Sequence, residues 1–246
     1  MKKQTGLSLT EVLISLFLAS LIMTVLIQLF LESKHQYLET EQVLAIRFDL
    51  QWVSDLLSDS IRRAGFTPCL GIERLQTIDR RTHQNKIKAL HVGNHPEQLI
   101  QVNRMSEYFA KIIKIESRTK IWVKNSVVFH KKRPLIIADC EHAEIHELLD
   151  IESQSEHSLI VLKKPLFFTY NTSTYVGEYL EEKWFIKNNT HHKDTLHYKL
   201  IHTEEITPLI HYIHTRKRTI KEKKFLEISM GLEENKTLEL RVLVRG

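Results

Sequence analysis

The feature that most constrains this chain is an apolar run near its N-terminus that contains one acidic residue. The run begins at Leu7, directly after a short basic segment, and continues to Leu31. A largely apolar stretch of about 25 residues is long enough for a helix to cross a bilayer of roughly 30 Å. Glu11 lies inside the run, where an acidic side chain costs roughly 2 to 3 kcal/mol on insertion scales. The sequence therefore predicts a membrane-spanning helix in which Glu11 has a specific partner.

Two simpler kinds of N-terminal segment explain the run less well. A secretory signal is removed at a site of small residues beyond its apolar core, but this run continues into residues 32–34, Glu-Ser-Lys, without such a site. A signal anchor explains the hydrophobicity and the cytoplasmic charges of Lys2 and Lys3. A signal anchor does not explain why Gly6 lies directly before the span. It also does not explain why Glu11 lies five positions after Gly6, inside the span.

The segment MKKQTG followed by LSLTEV resembles the class III signal of type IV prepilins and of the pseudopilins of type II secretion. The resemblance implies that prepilin peptidase cuts between Gly6 and Leu7, and that the new amine of Leu7 is methylated. It also implies that Glu11, the fifth mature residue, acts in subunit docking. The family usually has phenylalanine at the first mature position, where this chain has Leu7.

The helix is predicted to continue beyond the membrane as far as Ala64. No proline or glycine occurs from Tyr37 to Ala64, and apolar residues recur at spacings of three and four, which is typical of an amphipathic helix. Gly65 and Pro68 then favour a helix end. The predicted stripe that packs under a sheet contains Ile46, Leu50, Val53, Leu57, Ile61 and Ala64, widened by Trp52 and Leu56.

After Thr67 the pattern changes to short runs rich in Ile, Val and aromatic residues, which predict strands of a largely antiparallel sheet. The runs are 86–92, 98–102, 111–115, 120–129, 135–137, 158–162, 196–201 and 237–244. The expected fold class is α+β and, by the resemblance, type IV pilin-like. The expected segments are a leader (1–6), a transmembrane or filament-core half of the helix (7–31), an amphipathic half (32–66) and one β-rich globular body (67–246).

The two cysteines refine the resemblance. Cys69 follows the sequence DSIRRAGF (59–66), and Cys140 ends the sequence ADC; both contexts are similar to those in PilW-type minor pilins. A weaker similarity is WFI (184–186) followed by TLHYK (195–199). In a compartment outside the cytoplasm, an isolated pair of cysteines predicts a disulfide, here between Cys69 and Cys140.

The resemblance to PilW-type proteins implies a minor pilin in a priming or tip complex that promotes pilus assembly. Its implied partners are prepilin peptidase, other minor pilins, the major pilin, the inner-membrane assembly platform and a tip adhesin. The implied location is the bacterial inner membrane, with a periplasmic body, and then the pilus or its tip. The alternatives are a J-type pseudopilin of type II secretion and, from another class, a membrane-anchored binding protein or enzyme.

Charge and histidine content point to no further chemistry. The formal net charge is +5 and the acidic and basic residues are interleaved, so no direct nucleic-acid binding is expected; the basic runs 131–133 and 216–224 are interpreted as solvated loops. His142 and His146 could face one metal beside Cys140 only if their segment were helical. That site and the pairs His191/His192 and His211/His214 are interpreted as non-ligands. We expect no metal, no cofactor and no enzymatic activity, since the sequence has no glycine-rich phosphate loop and no nucleophile elbow.

Overall fold

The structure is a computed structural model that describes residues 9–82, 86–93, 98–124, 129–153, 156–170, 173–188, 193–221, 223–233 and 236–244. The described chain consists of one long N-terminal helix followed by a body dominated by antiparallel strands. The predicted α+β class is confirmed. The chain divides into two compact units, Met1–Trp52 and Val53–Gly246.

The helix α1 runs from Leu9 to Arg62 without a proline or glycine. Residues 9–49 are all exposed, and the buried side chains of α1 belong to its last ten residues. Ile46 and Trp52, which the periodicity assigned to the buried stripe, are 47% and 53% exposed. The prediction that these two residues are buried was wrong, because a 3.6-residue period shows that a helix has an apolar face but not which residues of that face are buried.

The end of α1 depends on a glycine. Gly65 has a φ of 71°, a left-handed conformation that costs a side chain free energy. Its N–H donates to the carbonyl of Asn103 at 2.8 Å. A Cβ at this position would also lie 2.7 Å from the Cβ of Ala89. The predicted helix stop at Gly65 is confirmed, although the regular helix ends at Arg62 rather than Ala64.

The body contains a short 3-10 helix, η1 (Ile72–Arg74), and fourteen strands among the described residues. The strands are β1 (Gln76–Asp79), β2 (Leu90–Gly93), β3 (Leu99–Ser117), β4 (Lys120–Lys124), β5 (Leu135–Ala138), β6 (His142–His146), β7 (Leu148–Ser153), β8 (His157–Leu162), β9 (Tyr175–Asn188), β10 (Asp194–Lys199), β11 (Thr203–Thr207), β12 (Tyr212–Ile220), β13 (Lys223–Gly231) and β14 (Thr237–Leu243).

Two sheets are formed. The larger has the order β1-β6-β5-β9-β3-β4-β8-β7, with β10 between β9 and β11, and with β2 paired to β3. Among the described strands, β1 and β6 are the parallel pair, and the other pairs are antiparallel. The smaller sheet has the order β12-β13-β14. The predicted antiparallel character of the body is therefore confirmed.

Buried aliphatic side chains form the core of the body. One cluster on the larger sheet joins β3, β4, β5 and β8 to β9 and the segment that follows β8. In the smaller sheet, residues that alternate along each strand are buried, as expected for a sheet with one covered face. These residues are Ile213, Thr215, Leu226, Ile228, Met230 and Val242.

Candidate functional site

The first candidate site is the exposed apolar part of α1. Gly6 and Leu7, the predicted cleavage and methylation residues, lie outside the described residues. Glu11 lies in the first turn of α1, where a carboxylate interacts favourably with the helix dipole. The most apolar 18-residue window of α1 has a mean hydropathy of 2.5 and none of it is buried, so α1 is long and apolar enough to cross a membrane.

The exposure of this segment has a physical consequence. Large apolar side chains from Leu9 to Leu31 are between 41% and 79% exposed. Soluble proteins rarely expose contiguous apolar surface of this extent, because its transfer out of water is strongly favourable. Apolar surroundings are therefore more favourable than water for this segment, and Glu11 lies at its N-terminal end.

A disulfide joins the segment after α1 to the turn between β5 and β6. Cys69 and Cys140 are bonded, with their Cα atoms 5.2 Å apart. This is the pairing predicted from the sequence. Cys69 lies between Gly65 and η1, so the bond ties the chain immediately after the helix to the neighbouring strands.

A buried polar cluster connects the last turns of α1 to β9. Arg104 Nε donates to Glu182 Oε1 at 2.7 Å, and the hydroxyl of Ser60 donates to the other carboxylate oxygen. The indole of Trp184 donates to Ser60 Oγ at 3.3 Å. Because all four residues are at least nine-tenths buried, this ion pair is shielded from water and is far more sensitive to a missing partner than a surface pair.

This cluster was not predicted from the sequence. Glu182 lies in the run GEYLEEKW, where charged residues suggest an exposed strand. One usable signal was Ser60, a small polar residue between the core-facing Leu57 and Ile61. A hydroxyl on the covered face of a helix needs a buried partner.

The histidine pair His142 and His146 lies on strand β6 rather than on a helix. His146 Nε2 is 2.9 Å from Glu144 Oε2, and both side chains are fully buried. The ring of His142 stacks on Phe168, with the ring centroids 4.4 Å apart. Within the part of the chain that the structure describes, no group of three or more His, Cys, Asp or Glu side chains could hold a metal ion.

The other histidine pairs are separate from this region. His191 and His192 lie outside the described residues. His211 Nδ1 is 2.7 Å from the carbonyl of Asp194, and His214 is exposed on β12.

Glu144 organises the segment that follows β8. The N–H of Phe167 donates to its carboxylate at 2.8 Å, and Tyr170 also interacts with it. Burial raises the pKa of Glu144, but its hydrogen bonds with His146 and Phe167 outweigh burial and hold the pKa below its ordinary value. The carboxylate is thus stabilised in its charged form and fixes the segment on the sheet.

An open cavity of about 620 Å³ lies beside β9 and contains several charged side chains. Arg133 Nη1 is 2.6 Å from Glu178 Oε2, and Arg63 Nη1 is 2.9 Å from Glu107 Oε1. Burial raises the pKa of Glu178, but hydrogen bonds from Arg133 and His130 keep the pKa below its ordinary value. Both carboxylates, Glu178 and Glu107, are therefore paired with an arginine, as in an ordinary surface salt bridge.

Comparisons with protein-family models, with curated proteins and with solved structures find no match. The functional conclusion therefore depends on the residues and the geometry described above.

Proposed function

We propose that this chain is a minor type IV pilin of the PilW type, which joins a minor-pilin complex and promotes pilus assembly. The observation that carries the proposal is an exposed apolar helix with Glu11 in its first turn, followed by an α+β body. The MKKQTG leader and the cysteine contexts support the same family. The role proposed is structural assembly rather than catalysis.

The physical argument concerns the two environments of the helix. A subunit that is stored in a membrane and later packed into a filament needs a helix that is stable in lipid and also among other helices. An unpaired ion in either environment is costly. The Glu11 carboxylate can neutralise the amine of Leu7, either its own or that of a neighbouring subunit. Pairing of this kind sets register and recognition during assembly more than it adds stability.

The proposed partners follow from this role. They are prepilin peptidase, other minor pilins, the major pilin, the inner-membrane assembly platform and a tip adhesin. The body would lie in the periplasm before the subunit enters the pilus or its tip. The disulfide between Cys69 and Cys140 and the ADC context favour this system over type II secretion, where the chain would be a J-type pseudopilin.

The first test is the mature N-terminus. Intact-mass measurement of the protein extracted from membranes should give a chain that begins at a methylated Leu7. Retention of Met1 in cells with active prepilin peptidase would contradict the proposal, because a plain signal anchor would then explain the apolar helix.

The second test separates docking from anchoring. Glu11→Ala should still be inserted and cleaved, because it removes a charge from the span and leaves Gly6 and Leu7 unchanged. It should nevertheless abolish pili, or prevent recovery of the minor-pilin complex from detergent extracts. Glu32→Ala, which removes the same charge directly after the apolar run, is the matched control and should assemble normally. Normal pili and complex recovery with Glu11→Ala would reject the pairing role.

A further inference from the structure

A second concave surface of the body has a strongly unbalanced charge. It is an open cleft of about 660 Å³ between η1, the segment leading into β2 and the distal part of the β12–β13 hairpin. Leu90, Leu243 and Val244 contribute its apolar lining. Its basic lining residues come from these three separate parts of the chain: Arg74, Lys86, Lys88, Lys217, Lys223 and Lys224.

Among the described residues that line this cleft, Glu73 is the acidic one. It forms an ion pair with Lys224, with Nζ 3.1 Å from Oε2. In the part of the cleft lining that the structure describes, six basic side chains against one acidic side chain leave an excess of five positive charges. Within the described residues, the other five basic side chains have no ion pair with a carboxylate.

The basic run 131–133 provides a contrast, because carboxylates neutralise two of its basic side chains. In the run 131–133, Lys131 Nζ is 2.5 Å from Asp150 Oδ1, and Arg133 is paired with Glu178. Arg218, on the same hairpin as the cleft residues, is paired with Glu227. The two basic runs, both interpreted from the sequence as solvated loops, thus differ. Two of the three basic side chains in 131–133 are paired with carboxylates, while part of 216–224 contributes to the basic cleft.

The backbone holds the hairpin lysines in a defined arrangement. The β12–β13 ladder is continuous from Tyr212↔Gly231 to Ile220↔Lys223. The N–H of Val244 also donates to the carbonyl of Lys224 at 2.9 Å. The charges of the hairpin lysines are therefore carried on a hydrogen-bonded sheet rather than on an irregular loop. Less backbone entropy is then lost when a ligand binds.

We propose that this cleft binds a compact ligand with several phosphate groups. Like charges collected in a concavity raise the local potential and attract anions. Lysine ammonium groups suit phosphate oxygens as point charges. A single phosphate would leave most of the excess charge unmatched, whereas a short oligophosphate matches it, and the cleft volume lies in the range of small-molecule sites. The phosphates could belong to a free oligophosphate or to an anionic lipid headgroup.

The test uses the full chain in nanodiscs of neutral phosphatidylcholine, with sodium tripolyphosphate as the probe in calorimetric titrations. The variant Lys88→Gln/Lys217→Gln removes two charges that line the cleft, one from the segment leading into β2 and one from β12. The matched control, Lys120→Gln/Lys124→Gln, removes two exposed charges from β4. We expect the cleft variant to weaken tripolyphosphate binding by about tenfold or more, because hydrogen bonds to charged groups are lost, and the control to change it by less than about twofold.

A second titration distinguishes the two sources of phosphate. Soluble deacylated cardiolipin, an anionic lipid headgroup with two phosphate groups, should compete with tripolyphosphate if the natural ligand is a lipid; failure to compete assigns a free oligophosphate. Equal weakening in both double variants would overturn the proposal, since the attraction would then be that of net charge alone. Absence of tripolyphosphate binding at low salt would overturn it as well. So would tighter binding of a short DNA duplex, since a compact ligand is proposed.

Discussion

The Arg104–Glu182 pair allows a direct test of how burial changes the contribution of an ion pair to the free energy of unfolding. The N···O distance is 2.7 Å, and the side chains of Arg104 and Glu182 are 9% and 4% exposed. The surface pair Lys163–Glu147 has the same 2.7 Å distance but side chains that are 56% and 48% exposed. The two pairs share a distance and differ strongly in burial, so comparing them tests how much the removal of water changes the cost of losing a partner.

The single substitution Arg104→Met leaves the Glu182 carboxylate buried without its cation. We expect the free energy of unfolding of the body to fall by about 3 to 5 kcal/mol. Lys163→Met should lower it by less than about 1 kcal/mol, because exposed pairs are screened by solvent. The double substitution Arg104→Met/Glu182→Met removes both charges and leaves the Ser60 hydroxyl without its acceptor, so about 1 to 3 kcal/mol should be lost.

The assay is denaturant unfolding of the full chain in detergent, followed by near-ultraviolet circular dichroism, which reports on buried aromatic side chains such as Trp184. The expected order of stability is Lys163→Met, then the double variant, then Arg104→Met. A loss for Arg104→Met as small as that for Lys163→Met would refute the reasoning. The single variant Glu182→Met completes the cycle. A loss for Arg104→Met/Glu182→Met equal to the sum of the Arg104→Met and Glu182→Met losses would also refute the reasoning, because the two charges would then act independently.

Three further outcomes follow from other parts of the body. Replacing Cys69 and Cys140 with serine opens a cross-link with a sequence separation of 71 and should cost about 4 kcal/mol in denaturant unfolding by the chain-entropy estimate; reducing the native protein should give the same loss. Gly65→Ala should lower the melting temperature through a loss of roughly 1 to 3 kcal/mol, because φ is 71° and Ala89 is too close. Arg133→Met should destabilise the body near neutral pH, but the difference in melting temperature should shrink as pH falls below the ordinary carboxyl value of 4.5, because the pKa of Glu178 is lowered in the folded state.

The helix and its end were predictable because their signals are local. An unbroken apolar period, the absence of proline and a glycine at the end are properties of neighbouring residues, so α1 and Gly65 could be expected. The Cys69–Cys140 pairing is not local, and it could be expected because the sequence contains two cysteines. Predicted runs also coincide with parts of β2, β3, β4, β5, β8, β10 and β14. Of the run 120–129, residues 125–128 lie outside the described residues.

Strand β9 was missed although it is central to the larger sheet, between β5 and β3. Its glutamates at 178 and 182 are almost completely buried, and each interrupts the alternation that identifies a strand with one polar face. The partners that make this burial tolerable, Arg133 and Arg104, are distant in sequence. The cleft was missed for the same reason, since its lysines converge only after β2 and the β12–β13 hairpin have folded.

The covered face of α1 combines two kinds of side chain with different consequences. Leu57 and Ile61 are fully buried, and their hydrophobic contribution to stability depends on buried area rather than on direction. Ser60 lies between them on the same face and contributes a directional contact, because its hydroxyl reaches Glu182 only in one register of the helix on β9. A leucine at position 60 would bury more apolar area but would leave the carboxylate with one partner fewer. The contribution that we expect from the Ser60 hydroxyl is therefore to fix how the last turns of α1 lie on β9, rather than to increase the buried apolar area.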